Sequence, residues 1–207
     1  MGDTWTPDSA AYVQCMEQIK RRLEVIKLVG TGAYTTPHKI TNVEFMALQL
    51  RKVFELIILA SIASHSSAVP AARKQLGKEW NIKKIIRQVR KVNPNFYPEP
   101  IKRVPTDKPG IKDEWVKPDK KFLTLSELIG AHGRLHELLH AWNPYRSESE
   151  RNLDSALQWI ADLRYLTMNL LSNHTIKFPG DDIIFYVGMQ SKETGKVHTA
   201  VFGKINV

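Results

Sequence analysis

The segment His132 to His140 (HGRLHELLH) gathers three histidines, an arginine and a glutamate into nine residues. On a helix, His132, His136 and His140 recur every fourth residue and form one drifting stripe. That stripe borders an apolar face of Leu128, Leu135 and Leu139. Three kinds of chemistry suit such a stripe. The simplest is packing, with histidines half-buried at the edge of a core and hydrogen-bonded there. A second is zinc: His136-Glu137-Leu138-Leu139-His140 spells H-E-x-x-H, in which two imidazoles one turn apart hold the metal and the glutamate activates its water. Glu148, Glu150 and Asp154 lie downstream as third-ligand candidates, but no glycine-containing H-x-x-G-x-x-H extension follows. The working expectation is no cofactor, with zinc on His136 and His140 as the alternative.

The third is metal-free acid–base catalysis, and it starts from Arg134 and His140, which have five residues between them. Here the chain resembles the HEPN superfamily, helical-bundle proteins in which an R-x(4–6)-H motif serves a metal-independent ribonuclease in many members. The resemblance implies that His140 acts as general acid/base and Arg134 stabilises charge developing on the phosphate, with His136 or Glu137 assisting. The position after the arginine, often polar in that family, is Leu135 here. On an ideal helix Arg134 and His140 point about 120° apart, so they converge only through the reach of the arginine, a bend or a second chain. A looser likeness to uncharacterised bacterial helical proteins covers residues 44 to 144, through EFMALQLRKVFEL (44–56), NPNFYP (93–98) and LHAWNP (139–144). In that likeness His140 and Asn143 are the shared features. Asn143 and Pro144 also have a structural reading, a turn that closes the helix.

Five helical patterns must position these residues. Ser9 to Leu28 repeats Tyr12, Val13, Met16, Ile19, Leu23 and Ile26 at helical spacing. A second helix opens at Thr41, with Thr41 and Glu44 as a capping box and Ile40 against Phe45 as a staple. From Val53 to Ala63 it is apolar on nearly every face, which marks the buried centre of a bundle. Asn81 to Val92 is the third, and Thr124 to Trp142 the fourth, boxed by Thr124 and Glu127. Ser147 to Leu171 is the fifth, boxed by Ser147 and Glu150. Residues 93–121 hold six of the 11 prolines and read as a long loop pinned by Phe96, Tyr97 and Trp115. After Pro179 and Gly180 the pattern turns to strands, 183–190 and 197–207, around a glycine-containing turn. The predicted fold is mainly α, a bundle of about five helices over 1–175 with an antiparallel β-hairpin over 176–207. A hairpin needs a surface to pack on, so the bundle, a further sheet or a second chain must supply one, and a homodimer is the expected assembly.

The chain has 207 residues, 30 Lys+Arg against 21 Asp+Glu, and a net charge of +9. That excess lies entirely in residues 71–121, which carry 15 basic and 6 acidic side chains. Within it, NIKKIIRQVRKV (81–92) puts Ile82, Ile85, Ile86 and Val89 on one face and Lys83, Lys84, Arg87, Arg90 and Lys91 on the others. Such a face either stays solvated or tracks phosphates, so RNA or another polyanion is the expected partner. The single Cys15 excludes an intramolecular disulfide and fits a reducing compartment, hence a cytoplasmic expectation. Neither a leader pattern nor an apolar run long enough to span a bilayer is visible, so no membrane partner is expected.

Overall fold

The computed structural model describes residues 7–65, 81–109, 113–145, 147, 152–178 and 183–203. Among them are five helices: α1 (Ser9–Gly30), α2 (Lys39–Ser64), α3 (Ile82–Val92), α4 (Leu125–Leu138) and α5 (Leu153–Leu171). Six strands accompany them: β1 (Glu99–Pro100), β2 (Lys102–Pro105), β3 (Asp113–Val116), β4 (Asn173–Lys177), β5 (Ile183–Gly188) and β6 (His198–Gly203). No described helix is long and apolar enough to cross a membrane.

The helices follow their apolar periodicity. α1 starts where the Asp8 carboxylate accepts from Ala11 N at 3.0 Å, and it buries Tyr12, Met16, Ile19, Leu23 and Ile26. α2 is the centre of the bundle. Twelve of its 26 residues are buried, and α1, α3, α4 and α5 all pack on it. It begins two residues before the expected Thr41 cap, with His38 in the cap position and no side-chain cap bond. Thr41 therefore lies inside the first turn, where its hydroxyl donates back to the His38 carbonyl at 2.8 Å. Phe45 is exposed, so it forms no staple. The Thr124–Glu127 capping box of α4 is present in both directions. α5 starts at Leu153, where Asn152 Oδ1 accepts from Ser155 N at 2.9 Å, so Ser147 is not its cap. Glu150, the partner expected for Ser147, lies outside the described residues.

The largest correction concerns the sheet. β5 and β6 pair as an antiparallel hairpin, but they belong to a four-stranded sheet of order β1-β4-β5-β6, which makes the fold mixed α and β. β4 spans the expected boundary at 175/176 and pairs with β5 from Asn173↔Gly188 to Lys177↔Ile184. The hairpin thus finds its partner within the chain, which removes the reason for expecting a second copy to cover it. β1, at the edge, pairs Glu99↔Thr175 and Pro100↔His174, a place where proline's missing N–H is tolerated. The supposed loop also holds the β2–β3 hairpin, whose Trp115 stacks on Tyr186 at 5.4 Å and meets Phe202 edge-on at 5.1 Å. Phe96 is fully buried, and Tyr97 donates to the Leu123 carbonyl. The three aromatics do pin the segment, with Trp115 fastened to the outer face of the sheet.

Two buried histidines join the layers. His174 of β4 donates from Nδ1 to the Leu171 carbonyl at 2.9 Å and accepts at Nε2 from the Tyr12 hydroxyl at 2.8 Å, tying the sheet to α1. His65, just past α2, donates from Nδ1 to the Ser61 carbonyl at 2.6 Å and accepts from Asn93 Nδ2 at 2.7 Å. Asn93 Nδ2 also reaches the Lys177 carbonyl.

Burial holds His174 neutral, its pKa pushed down to about 4, and lowers that of His65 as well. Protons therefore bind the unfolded chain first, so this stability is complete above the unfolded value near 6.5 and is lost as pH falls toward 4. For His174 the loss is about 3 kcal/mol over that interval. Urea unfolding at pH 7, 5.5 and 4.5 should show this slope, and His174→Gln should flatten it; an equal slope in both proteins would contradict the assignment. Tyr12→Phe leaves His174 Nε2 buried without a donor and should cost about 1–3 kcal/mol at pH 7.

Candidate functional site

Arg51 and Glu55 stand one turn apart on α2, both half-buried, with Arg51 Nε 3.1 Å from Glu55 Oε1. α4 runs antiparallel alongside: His132, earlier on α4, meets Glu55, while His136, one turn later, meets Arg51. His132 Nε2 lies 3.3 Å from Glu55 Oε1, and Arg51 Nη1 lies 2.8 Å from His136 Nδ1. The bond from His132 and the charge of Arg51 together hold the Glu55 carboxyl below the usual range, against the opposing pull of burial.

The Arg51 contact decides the state of His136. A guanidinium only donates, so His136 Nδ1 carries the lone pair and the ring proton sits on Nε2. His136 Nε2 is 3.1 Å from His140 Nε2, with the rings 4.4 Å apart and nearly perpendicular. In this chain of bonds Arg51 donates to His136, and His136 donates to the lone pair of His140. Desolvation, then the charge of Arg51, lowers the His136 pKa. Both imidazoles are exposed, as is Glu137.

α4 ends at Leu138, four residues short of the expected Trp142, and His140 lies just beyond it. Its amide still bonds back to the Glu137 carbonyl at 3.3 Å, which keeps the ring beside His136. Asn143 then accepts from Tyr145 N at 3.0 Å, a side-chain-closed turn that includes the exposed Pro144.

Arg134 goes elsewhere. Two residues from His136 on a helix is a rotation of about 160°, and the Arg134 guanidinium lies 4.2 Å over the Trp159 ring of α5. Within one chain Arg134 and His140 thus occupy different sides of α4. Arg51, which sequence reasoning passed over, is the arginine beside the histidines. Its signal was available: an Arg/Glu pair one turn apart on a helix destined for burial calls for polar partners.

The His136–His140 pair also bears on metal. Among the described residues no group of three or more His, Cys, Asp or Glu side chains could hold an ion. A metal-binding histidine ordinarily donates its second nitrogen to a carboxylate or carbonyl, which strengthens it as a ligand. His136 Nδ1 instead receives a cation's N–H, and that weakens it.

The basic helix is α3, fixed by Asn81, whose side chain accepts from the amides of Lys83 and Lys84. Its apolar face is buried, and Lys83, Lys84, Arg87, Arg90 and Lys91 are exposed with no acidic residue in the helix. Elsewhere in the basic segment, charges pair: Lys102–Asp119, Arg103–Asp113, Lys108–Glu114 and Glu99–Lys177. α3 thus carries five of the nine net positive charges. Asn93, at the end of α3, is fastened to His65, and His65 is 14 positions along α2 from Arg51, about 21 Å at helical rise.

Comparison of the chain with protein-family models, with curated proteins and with solved structures finds no match.

If Arg51 holds His136 neutral, Arg51→Met should raise the His136 pKa in an NMR titration and leave that of His174 in place. A His136 pKa unmoved by the substitution would contradict the contact.

Proposed function

We propose that this protein binds RNA through α3 and cleaves it without metal at the Arg51–His136–His140 cluster. The observation that carries the reading is the polarised contact of the two exposed imidazoles, 3.1 Å apart, with a guanidinium on the far nitrogen of one. The likeness of the Arg134–His140 segment to HEPN proteins points the same way, although Arg51 takes the role which that likeness gives to Arg134. Glu137, exposed beside the pair, is left as an assisting group.

The chemistry follows from the tautomers. His140 Nε2 holds a lone pair and acts as general base, taking the proton of a ribose 2′-hydroxyl as O2′ attacks the adjacent phosphorus. His136 Nε2–H, released from His140, donates to a phosphate oxygen, and Arg51 behind it stabilises the charge that gathers there. The P–O5′ bond breaks, and protonated His140 returns its proton to O5′. The products are a 2′,3′-cyclic phosphate and a 5′-hydroxyl, with no net proton change. α3 supplies sequence-independent attraction for the backbone, strongest at low salt.

A second reading, zinc hydrolysis on His136 and His140, makes a different forecast, stoichiometric metal lost on replacing His136. The contact from Arg51 weighs against it.

Single-stranded RNA incubated with the protein in EDTA should be cut to cyclic-phosphate ends. His140→Ala should lower the rate at least 100-fold while leaving binding intact. Replacing Lys83, Arg87 and Arg90 by Gln should weaken binding and reduce its salt slope by about 2. No cleavage in EDTA, or cleavage unaffected by His140→Ala, would overturn the proposal.

A further inference from the structure

We propose that the cleft between α1 and α5 is a binding site for a small amphipathic organic anion, whose carboxylate or phosphate head is held by Arg164. The site shares no residue with the Arg51–His136–His140 cluster or with α3, so it stands independently of the RNA proposal.

The cleft encloses about 670 Å³, within the range of small-molecule sites. Small residues are part of its lining, Gly30 at the end of α1 and the exposed Ala161 on α5. Ile26, Met46 and Leu157 give it an apolar wall. A second cavity of about 370 Å³ adjoins it along the same two helices, and Arg164 lines both.

Arg164 is what makes the cleft selective. Its Nε donates to the Leu23 carbonyl at 2.7 Å, which fixes the plane of the guanidinium and leaves the two terminal nitrogens to present a fork of N–H groups. No ion pair to Arg164 is found among the described residues. Glu24, the acid whose charge it feels, lies 3.9 Å from Lys27. Half-buried with no carboxylate bonded to it, the guanidinium carries a desolvation cost that the charge of Glu24 only partly offsets and that a bound anion would offset further. The other charges at the cleft are already paired, Lys27 with Glu24 and Asp154 with Lys39, so Arg164 is the cation open to a ligand there. A headgroup on this fork would lay its apolar tail against Ile26, Met46 and Leu157, a fit that neither a free inorganic anion nor a neutral alcohol provides.

Isothermal titration of the full chain with octanoate, octyl phosphate and octanol tests this. Saturable 1:1 binding of octanoate or octyl phosphate is expected, the tighter of the two identifying the headgroup, with octanol at least tenfold weaker. Arg164→Gln should weaken anion binding at least tenfold. Ala161→Trp, which fills the cleft from an exposed position, should abolish it while circular dichroism stays unchanged. The proposal is overturned if octanol binds as tightly as the anions, if neither anion binds, or if both variants bind like the unaltered protein.

Discussion

A long helix that is buried on most of its circumference must account for every charge it carries. α2 is that helix. Val43, Met46, Ala47, Leu50, Val53, Phe54, Ile57 and Ala60 fill the core, so Arg51 and Glu55 emerge only along the seam with α4. A charge half-removed from water needs partners of its own, and α4 supplies them as His132 and His136. The consequence reaches past the bundle. Because Arg51 occupies one nitrogen of His136, the other nitrogen must be the donor, and that donor faces His140. A requirement of packing thereby sets the tautomers of two exposed imidazoles.

The same economy recurs at the junction of helices and sheet. His65 and His174 are buried neutral rings that each bridge two backbone layers, using one nitrogen as donor and the other as acceptor. Neutral imidazole suits this role because it offers one donor and one acceptor at a fixed angle. Five of the seven histidines thus fall into three settings: two buried bridges, a seam residue paired with a carboxylate, and a solvent-facing pair. Of these three settings, the last leaves its rings open to solvent.

Much of this was legible in the residues. Apolar spacing located all five described helices, and Thr124 with Glu127 marked the start of α4 to the residue. The mistakes have physical causes. Thr41 and Ser147 carry capping-box spacing, yet His38 and Asn152 take the caps, because a local pattern does not reveal where the chain enters the bundle. β1, β2 and β3 were invisible because strands of two and four residues among prolines have no sustained alternation. β4 was hidden because it begins two residues after α5 and buries His174, Thr175 and Ile176 in succession, which leaves no alternation to read. At the site, sequence spacing found His136 and His140 but assigned Arg134 as their partner. Helical rotation turns Arg134 toward Trp159, and no spacing rule within α4 could have supplied Arg51 from another helix.

The central claim is that a seam set by packing presents two histidines to RNA. Its most direct test is NMR of the histidine ring nitrogens, in EDTA, as the protein is titrated with a single-stranded oligonucleotide whose 2′-hydroxyls are replaced by hydrogen, so that it binds without being cut. The account predicts that free His136 carries its proton on Nε2. It also predicts that binding perturbs the rings of His136 and His140 together with the amides of α3, and leaves His65 and His174 unchanged. Perturbation confined to α3, or a free His136 protonated on Nδ1, would contradict it.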